Sequence, residues 1–181
     1  MTHIDVIKYF AKYPLLTGVL KNFVSNNSTE EYTSLRAYFE AMPEHSLIAD
    51  IQHYVIGEKE EALSKAISSL DGWFMLVENG GINVGALNQV RTRESQLSVQ
   101  VTIACHWTAK TLDPMAEALT RDKGLQLIFA LINMMKTEDR EQCPVSRWLD
   151  SPFQIDPVEP YLLFQSIGWQ LTLNRTYSSL L

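Results

Sequence analysis

The sequence predicts an α+β fold: a mainly antiparallel sheet packed against helices, preceded by an N-terminal helical segment. Three observations carry this. Two stretches, QLSVQVTIACHW (96–107) and SIGWQLTLN (166–174), alternate apolar and polar residues with the period of two that strands require. Two others, EKEEALSKAISSL (58–70) and the run from Pro114 to about Lys136, repeat apolar residues at helical spacing. The elements follow in the order of helices, a central strand, an irregular hairpin arm, a long helix and a final strand. A chain of 181 residues with 46% hydrophobic and 20% charged residues fits one domain, residues 1–181, with a helical segment at 1–45 and an α+β core at 46–175.

Taken in order, Thr2 and Asp5 resemble a helix cap with an acidic first turn, and Ile4, Ile7, Phe10 and Ala11 share one helical face. Pro14 interrupts or restarts this helix, which can run on to Val24. Thr29 is placed to cap a second helix through Leu35, Tyr38 and Phe39, stopped at Met42-Pro43. SLIADIQHYVI (46–56) fits helix and strand nearly equally; Gly57 and the helix directly after it favour a strand. In that helix Ala62, Leu63, Ala66, Ile67 and Leu70 form the apolar stripe, closed by Asp71-Gly72.

WFMLVE (73–78) is apolar on both faces, as expected for an inner strand covered on each side. Asn79-Gly80-Gly81 signals a turn, and 79–95 reads as an irregular strand or a long loop. Asp113-Pro114 opens a helix with a cap followed by a first-turn proline. Its second half, from Leu125 to Met135, is apolar nearly all round, so one side needs the sheet and the other needs a second cover. Residues 137–152 read as a surface connection anchored by Trp148 and Leu149. Pro157 and Pro160 confine 153–164 to a sheet edge or a crossing.

The formal net charge is −6, and the 15 Lys and Arg are scattered, so no dedicated nucleic-acid binding is expected. No apolar run approaches the ~20 residues of a membrane span, and MTHIDVIKYF lacks the basic-then-apolar pattern of an export signal. Cys105 and Cys143 have no metal-binding spacing and read as two free thiols. There is no GxGxxG, Walker A, HExxH, GxSxG or CxxC pattern, so neither a cofactor nor a catalytic role is expected. Cys105 and His106, as strand neighbours, point to opposite faces and cannot readily act as nucleophile and base. Asp50 with His53, and Glu44 with His45, would need distant ligands to hold a metal; ordinary surface polarity is the plainer reading. The run Glu138, Asp139, Arg140, Glu141 reads as a solvated helix end.

The outward faces of the two alternating strands are the most informative feature. Gln96, Ser98, Gln100, Thr102 and His106 on one, and Ser166, Gln170, Thr172 and Asn174 on the other, carry no Lys, Arg, Asp or Glu, although solvated strands usually do. Such faces hydrogen-bond across a contact without the desolvation cost of buried charge. They are expected to meet another subunit or the N-terminal helices. A plain solvated face rich in Thr, Ser and Gln is the competing reading. Arg91 and Arg93, near the hairpin tip, are further candidates for an anion or a neighbouring subunit.

From EKEEALSKAISSLDGWFMLVENGG through VRTRESQLSVQVTIACHW and the helix at 114–136 to SIGWQLTLN, the layout resembles the phage tail terminator and tail-to-head joining (neck) proteins. The resemblance covers roughly residues 58–175 and leaves 1–45 outside it. It implies a structural protein of a phage or phage-derived tail that forms a ring, typically a hexamer, and contacts other tail or connector proteins. It places the chain in a virion, or in the host cytoplasm during assembly, and makes 79–95 an arm toward a neighbour or the lumen. The alternatives are a cytoplasmic α+β binding or enzyme-accessory domain and, third, a small hydrolase with scattered site residues.

Overall fold

In the computed structural model the described residues are 3–25, 27–57, 60–84, 92–107, 113–138, 145–159, 163 and 165–180. The fold is α+β, as the two periodicities predict. Helices α1 (His3–Phe10), α2 (Leu16–Leu20) and α3 (Glu30–Glu40) precede strand β1 (Ile51–Ile56). Helix α4 (Glu60–Ser68) leads to β2 (Trp73–Val84) and β3 (Thr92–His106). Helix α5 (Pro114–Thr137), a 3-10 turn at Ser146–Asp150, β4 (Phe153–Val158) and β5 (Ser166–Leu180) complete the chain. The strands form one sheet in the order β1-β2-β3-β5-β4. β1 runs parallel to β2 across α4, and every other neighbouring pair is antiparallel.

Segment 46–56 is a strand from Ile51, as favoured, while residues 47–50 form bends and a turn instead of helix. Asp113 caps α5 as expected, its carboxylate accepting from Met115 N and Ala116 N at 3.1 Å. Thr29 stands at the N-cap of α3, but its side chain makes no cap hydrogen bond. α1 stops at Phe10, four residues before Pro14, and α2 is a separate short helix beyond it. The proposed cap at Thr2, together with Cys143, Pro160 and Arg91, lies outside the described residues.

Cross-strand register sorts the sheet into two faces. On the apolar face, Tyr54, Met75, Val77, Val99, Val101, Ile103, Leu171 and Leu173 join α5 and the N-terminal helices in one buried cluster. Tyr54 Oη donates to Ile7 O at 2.9 Å, fixing the end of α1 over β1. Helix α5 lies close to the sheet at Gly124, where a Cβ would sit 3.1 Å from Trp73 and Trp169, and Trp169 Nε1 donates to Arg121 O. On the opposite face, Leu63 and Ile67 of α4 bury Val55, Phe74, Leu76 and Ala104. β2 is therefore covered on both sides: Phe74, Met75, Leu76 and Val77 are all buried.

The second cover predicted for α5 is supplied mostly by the chain itself, although Phe129 stays exposed. Ile128, Leu131 and Met135 share their cluster with Phe10, Tyr13, Ile48, Val145 and Trp148, the last fully buried as the anchor of residues 137–152. Of the charge run expected to be a solvated helix end, Glu138 is instead paired, while Asp139, Arg140 and Glu141 lie outside the described residues. Glu138 accepts from Lys12 and Tyr13, both at 2.7 Å, locking α5 to the N-terminal segment.

Candidate functional site: the polar half of the sheet

Helix α4 covers only part of the second face. Beyond it the register gives three rows: Leu76, Thr102, Gln170 and Asp156; then Glu78, Gln100, Thr172 and Gln154; then Ser98 and Asn174. Among the described residues no helix packs over the last two rows. Ser98, Gln100, Gln170, Thr172 and Asn174 are half-buried there, in an antiparallel framework that holds them at fixed spacing. The sequence expectation gave this face two possible covers, a subunit or the N-terminal helices. The second is corrected: α1 to α3 belong to the apolar face, where Val6, Ile7, Phe10, Val19 and Phe39 find apolar partners that a face of amides and hydroxyls cannot offer.

Two members of the expected surface are sealed within the chain. Thr102 is fully buried, with Gln170 Nε2 donating to its Oγ1 at 3.2 Å. Ser166, paired in register with His106, is also fully buried and is separated from the polar rows by Phe74, Ala104, Gly168 and Val158. Gly168 lets the strands approach: a Cβ there would collide with the carbonyl oxygen of Ile103. Gln96 and Arg93 continue the β3 ladder opposite Thr176 and Ser179, as backbone positions whose side chains lie outside the described set. Arg91 lies outside it altogether.

Reading single strands missed the flanking charges. Glu78 on β2 and Asp156 on β4 are drawn into this face by register, one on each side of the uncharged strands. Burial pushes the Glu78 carboxyl above its ordinary range. The signal available in sequence was the polar terminus of WFMLVE, but placing it beside Gln100 required the hairpin register. The polar patch measures about 14 Å by 14 Å from strand and residue spacings. That is roughly a quarter of the ~800 Å² one partner gives to a standard interface, so a stable contact through it must extend along the continuing strands.

Those strands do continue. β2, β3 and β5 run past the ends of β1 and β4, whose last register partners on this side are Val77 and Leu173, and form a three-stranded arm reaching Val84, Thr92 and Leu180. The irregular stretch expected at 79–95 is thus strand on both sides of residues 85–91, with a register shift between Asn79 and Ile82.

The remaining candidates do not converge. Cys105 lies in register with Trp73 and Ile167, while His106 is on the opposite face; burial raises the Cys105 thiol to about 11. His53 Nε2 donates to Asp71 O at 2.8 Å, Asp50 pairs with Lys123 at 2.7 Å, and His45 lies against Ser46. Among the described residues no three His, Cys, Asp or Glu side chains are grouped to hold a metal ion, and no helix is long and apolar enough to cross a membrane. A cleft of about 230 Å³ between α2, β1 and α4, edged by Lys21, Asn22 and His53, falls below the ~300 Å³ where ligand pockets usually begin. Its amide is already used: Asn22 Nδ2 donates to Val19 O and Tyr54 O.

Comparison with protein-family models, with curated proteins and with solved structures finds no match to this chain.

Proposed function

We propose that this chain is a structural assembly protein that self-associates through the polar half of its sheet, as a ring-forming tail terminator or head-tail joining protein of a phage or phage-derived tail. The observation that supports self-association is the pair of half-buried rows, Gln100 with Thr172 and Ser98 with Asn174, uncharged on β3 and β5, with Glu78 on the β2 flank and Asp156 on the β4 flank one row away. Uncharged amides and hydroxyls recognise protein surfaces, which offer matching donors and acceptors. They suit nucleic acid poorly, because phosphate contact needs cations. They suit a bilayer poorly too, because unsatisfied polar groups are costly in hydrocarbon.

The tail assignment is supported by the layout of residues 58–175 and by the three-stranded arm, which in this reading would reach a neighbouring subunit or a lumen. The helix α5 lends it little support, because most of its apolar second half is buried within the chain, with Phe129 the one large apolar side chain there left exposed among the described residues. The reading assigns no catalytic residue and no cofactor, and its partners are further copies and other tail or connector proteins. Electron microscopy of the purified protein, with inspection of the genes beside its own, tests it. Rings, and neighbouring portal, tail-tube or sheath genes, are expected. Dispersed single copies beside unrelated metabolic genes would overturn the assignment.

A further inference from the structure

The sheet protects its outer edges unevenly. The edge of β1 is blocked by the segment that carries α2: Leu15 N donates to Ile51 O at 2.9 Å and Asn22 Nδ2 to Tyr54 O at 2.9 Å. Gly18 lies so close that a Cβ would strike the carbonyl oxygen of Gln52. The opposite edge, β4, is six residues long and carries Asp156 and Pro157, which blunt strand addition. In the arm, β2 is broken by its register shift between Asn79 and Ile82, another feature that turns an edge away from partners. β5 has none of these. It pairs with β3 without interruption from Ser166 to Leu180, and beyond Leu173, where β4 stops, its outer edge has no strand partner among the described residues. The stretch NRTYSSL (174–180) contains no proline, no lysine and one charge, Arg175.

We infer that the outer edge of β5 over residues 174–180 pairs with the same edge of a second copy, antiparallel about a two-fold axis near Tyr177. This rests on the reading that the chain self-associates and adds a second, separate contact to it. An antiparallel β5 from another copy runs in the same sense as β4 and occupies the line along β5 beyond the pair of Phe153 and Leu173, where β4 begins. The segment is self-complementary in that arrangement. With Tyr177 opposite Tyr177 of the second copy, Thr176 falls opposite Ser178 and Arg175 opposite Ser179, so the single charge never meets its own kind. Seven residues span about 23 Å of paired edge. Antiparallel pairing is also the commoner and slightly stronger kind. The contact is isologous and joins copies in pairs, so it is distinct from the head-to-tail contacts that close a ring.

Charge reversal tests it. In the two-fold pairing Ser179→Lys sets lysine against Arg175 twice, and the dimer dissociation constant should rise roughly two- to thirty-fold. Adding Arg175→Glu to that variant sets opposite charges together and should restore association. Within one copy, positions 175 and 179 pair with Leu97 and Arg93 and lie four residues apart on one strand, so rescue cannot come from the arm's own folding. Sedimentation equilibrium of wild type, Ser179→Lys and Arg175→Glu/Ser179→Lys reads the outcome. An unchanged mass for Ser179→Lys, or a double variant no better associated than the single one, would overturn the edge contact. A wild type that is monomeric at every concentration would overturn both this contact and the self-association reading. Loss of association with Gln100→Lys but not with Ser179→Lys would retain the polar face and remove the edge.

Discussion

Lys12 Nζ lies 2.7 Å from Glu138 Oε1, and the two side chains keep only 14% and 19% of their surface exposed. Tyr13 Oη donates to the same carboxylate oxygen at 2.7 Å and lies 3.0 Å from Tyr9 Oη, while the ammonium of Lys12 sits 4.3 Å from the Tyr9 ring. This network joins the N-terminal segment to the end of α5. Removing one partner leaves a largely desolvated charge, so Lys12→Met should lower unfolding stability by about 2–4 kcal/mol. Tyr13→Phe should cost about 1–2 kcal/mol, because it removes a hydrogen bond to a charged group. Chemical denaturation of the variants measures both.

Glu78 supplies a pH dependence. Its carboxyl titrates above the ordinary glutamate range because burial penalises the charged form. A carboxyl raised in the folded state makes the native chain bind more protons than the unfolded one between the two values, so stability falls as pH rises through that window. Glu78→Gln is expected to flatten this fall and to melt higher than wild type at neutral pH. Melting curves from the glutamate range upward to neutrality provide the check; a Glu78→Gln protein with the wild-type pH profile would be inconsistent with a desolvated carboxylate.

The Cys105 thiol, raised to about 11, should be a poor nucleophile at pH 8. In a Cys143→Ser protein, labelling by an aromatic disulfide reagent is expected to be slow in the native state and fast once denaturant is added. Rapid stoichiometric labelling of the native protein would contradict its burial beside Trp73 and Ile167.

Gly168 faces the carbonyl oxygen of Ile103 with no room for a side-chain carbon. Gly168→Ala must push β5 away from β3 and should destabilise by about 1–3 kcal/mol, the usual range for overpacking. Gly57→Ala is a milder comparison, since its Cβ would meet only the flexible Leu63 side chain at 3.2 Å.

Much of this architecture was legible in the residues. The alternation of 96–107 and 166–174 gave two strands and their inward faces, Asp113-Pro114 gave the start of α5, and the two prolines gave an edge strand. What was not legible depends on pairing between distant segments. Glu138 reads as a solvated charge because Lys12 and Tyr13, its partners, are over a hundred residues away. The N-terminal helices lack any local mark of which sheet face they cover; only the apolar complementarity of Phe10 and Phe39 with the β1 and β2 side decides it. The polar site was found as two uncharged strands, but its carboxylate borders and the burial of Thr102 follow from register, which a single strand does not encode.

Whether the polar half of the sheet meets another copy is decided by sedimentation equilibrium of Gln100→Lys against wild type and Asn133→Lys. Asn133 is exposed on α5, away from that face, and a charge there should change stability by no more than about 0.5 kcal/mol. At Gln100 an added ammonium would have to be desolvated in the contact, at roughly several kcal/mol if burial is deep. Wild type and Asn133→Lys should be assembled, with Gln100→Lys folded but shifted to smaller species. Wild type and Gln100→Lys of identical mass at every concentration would mean that the face is simply wetted by solvent and joins no second copy.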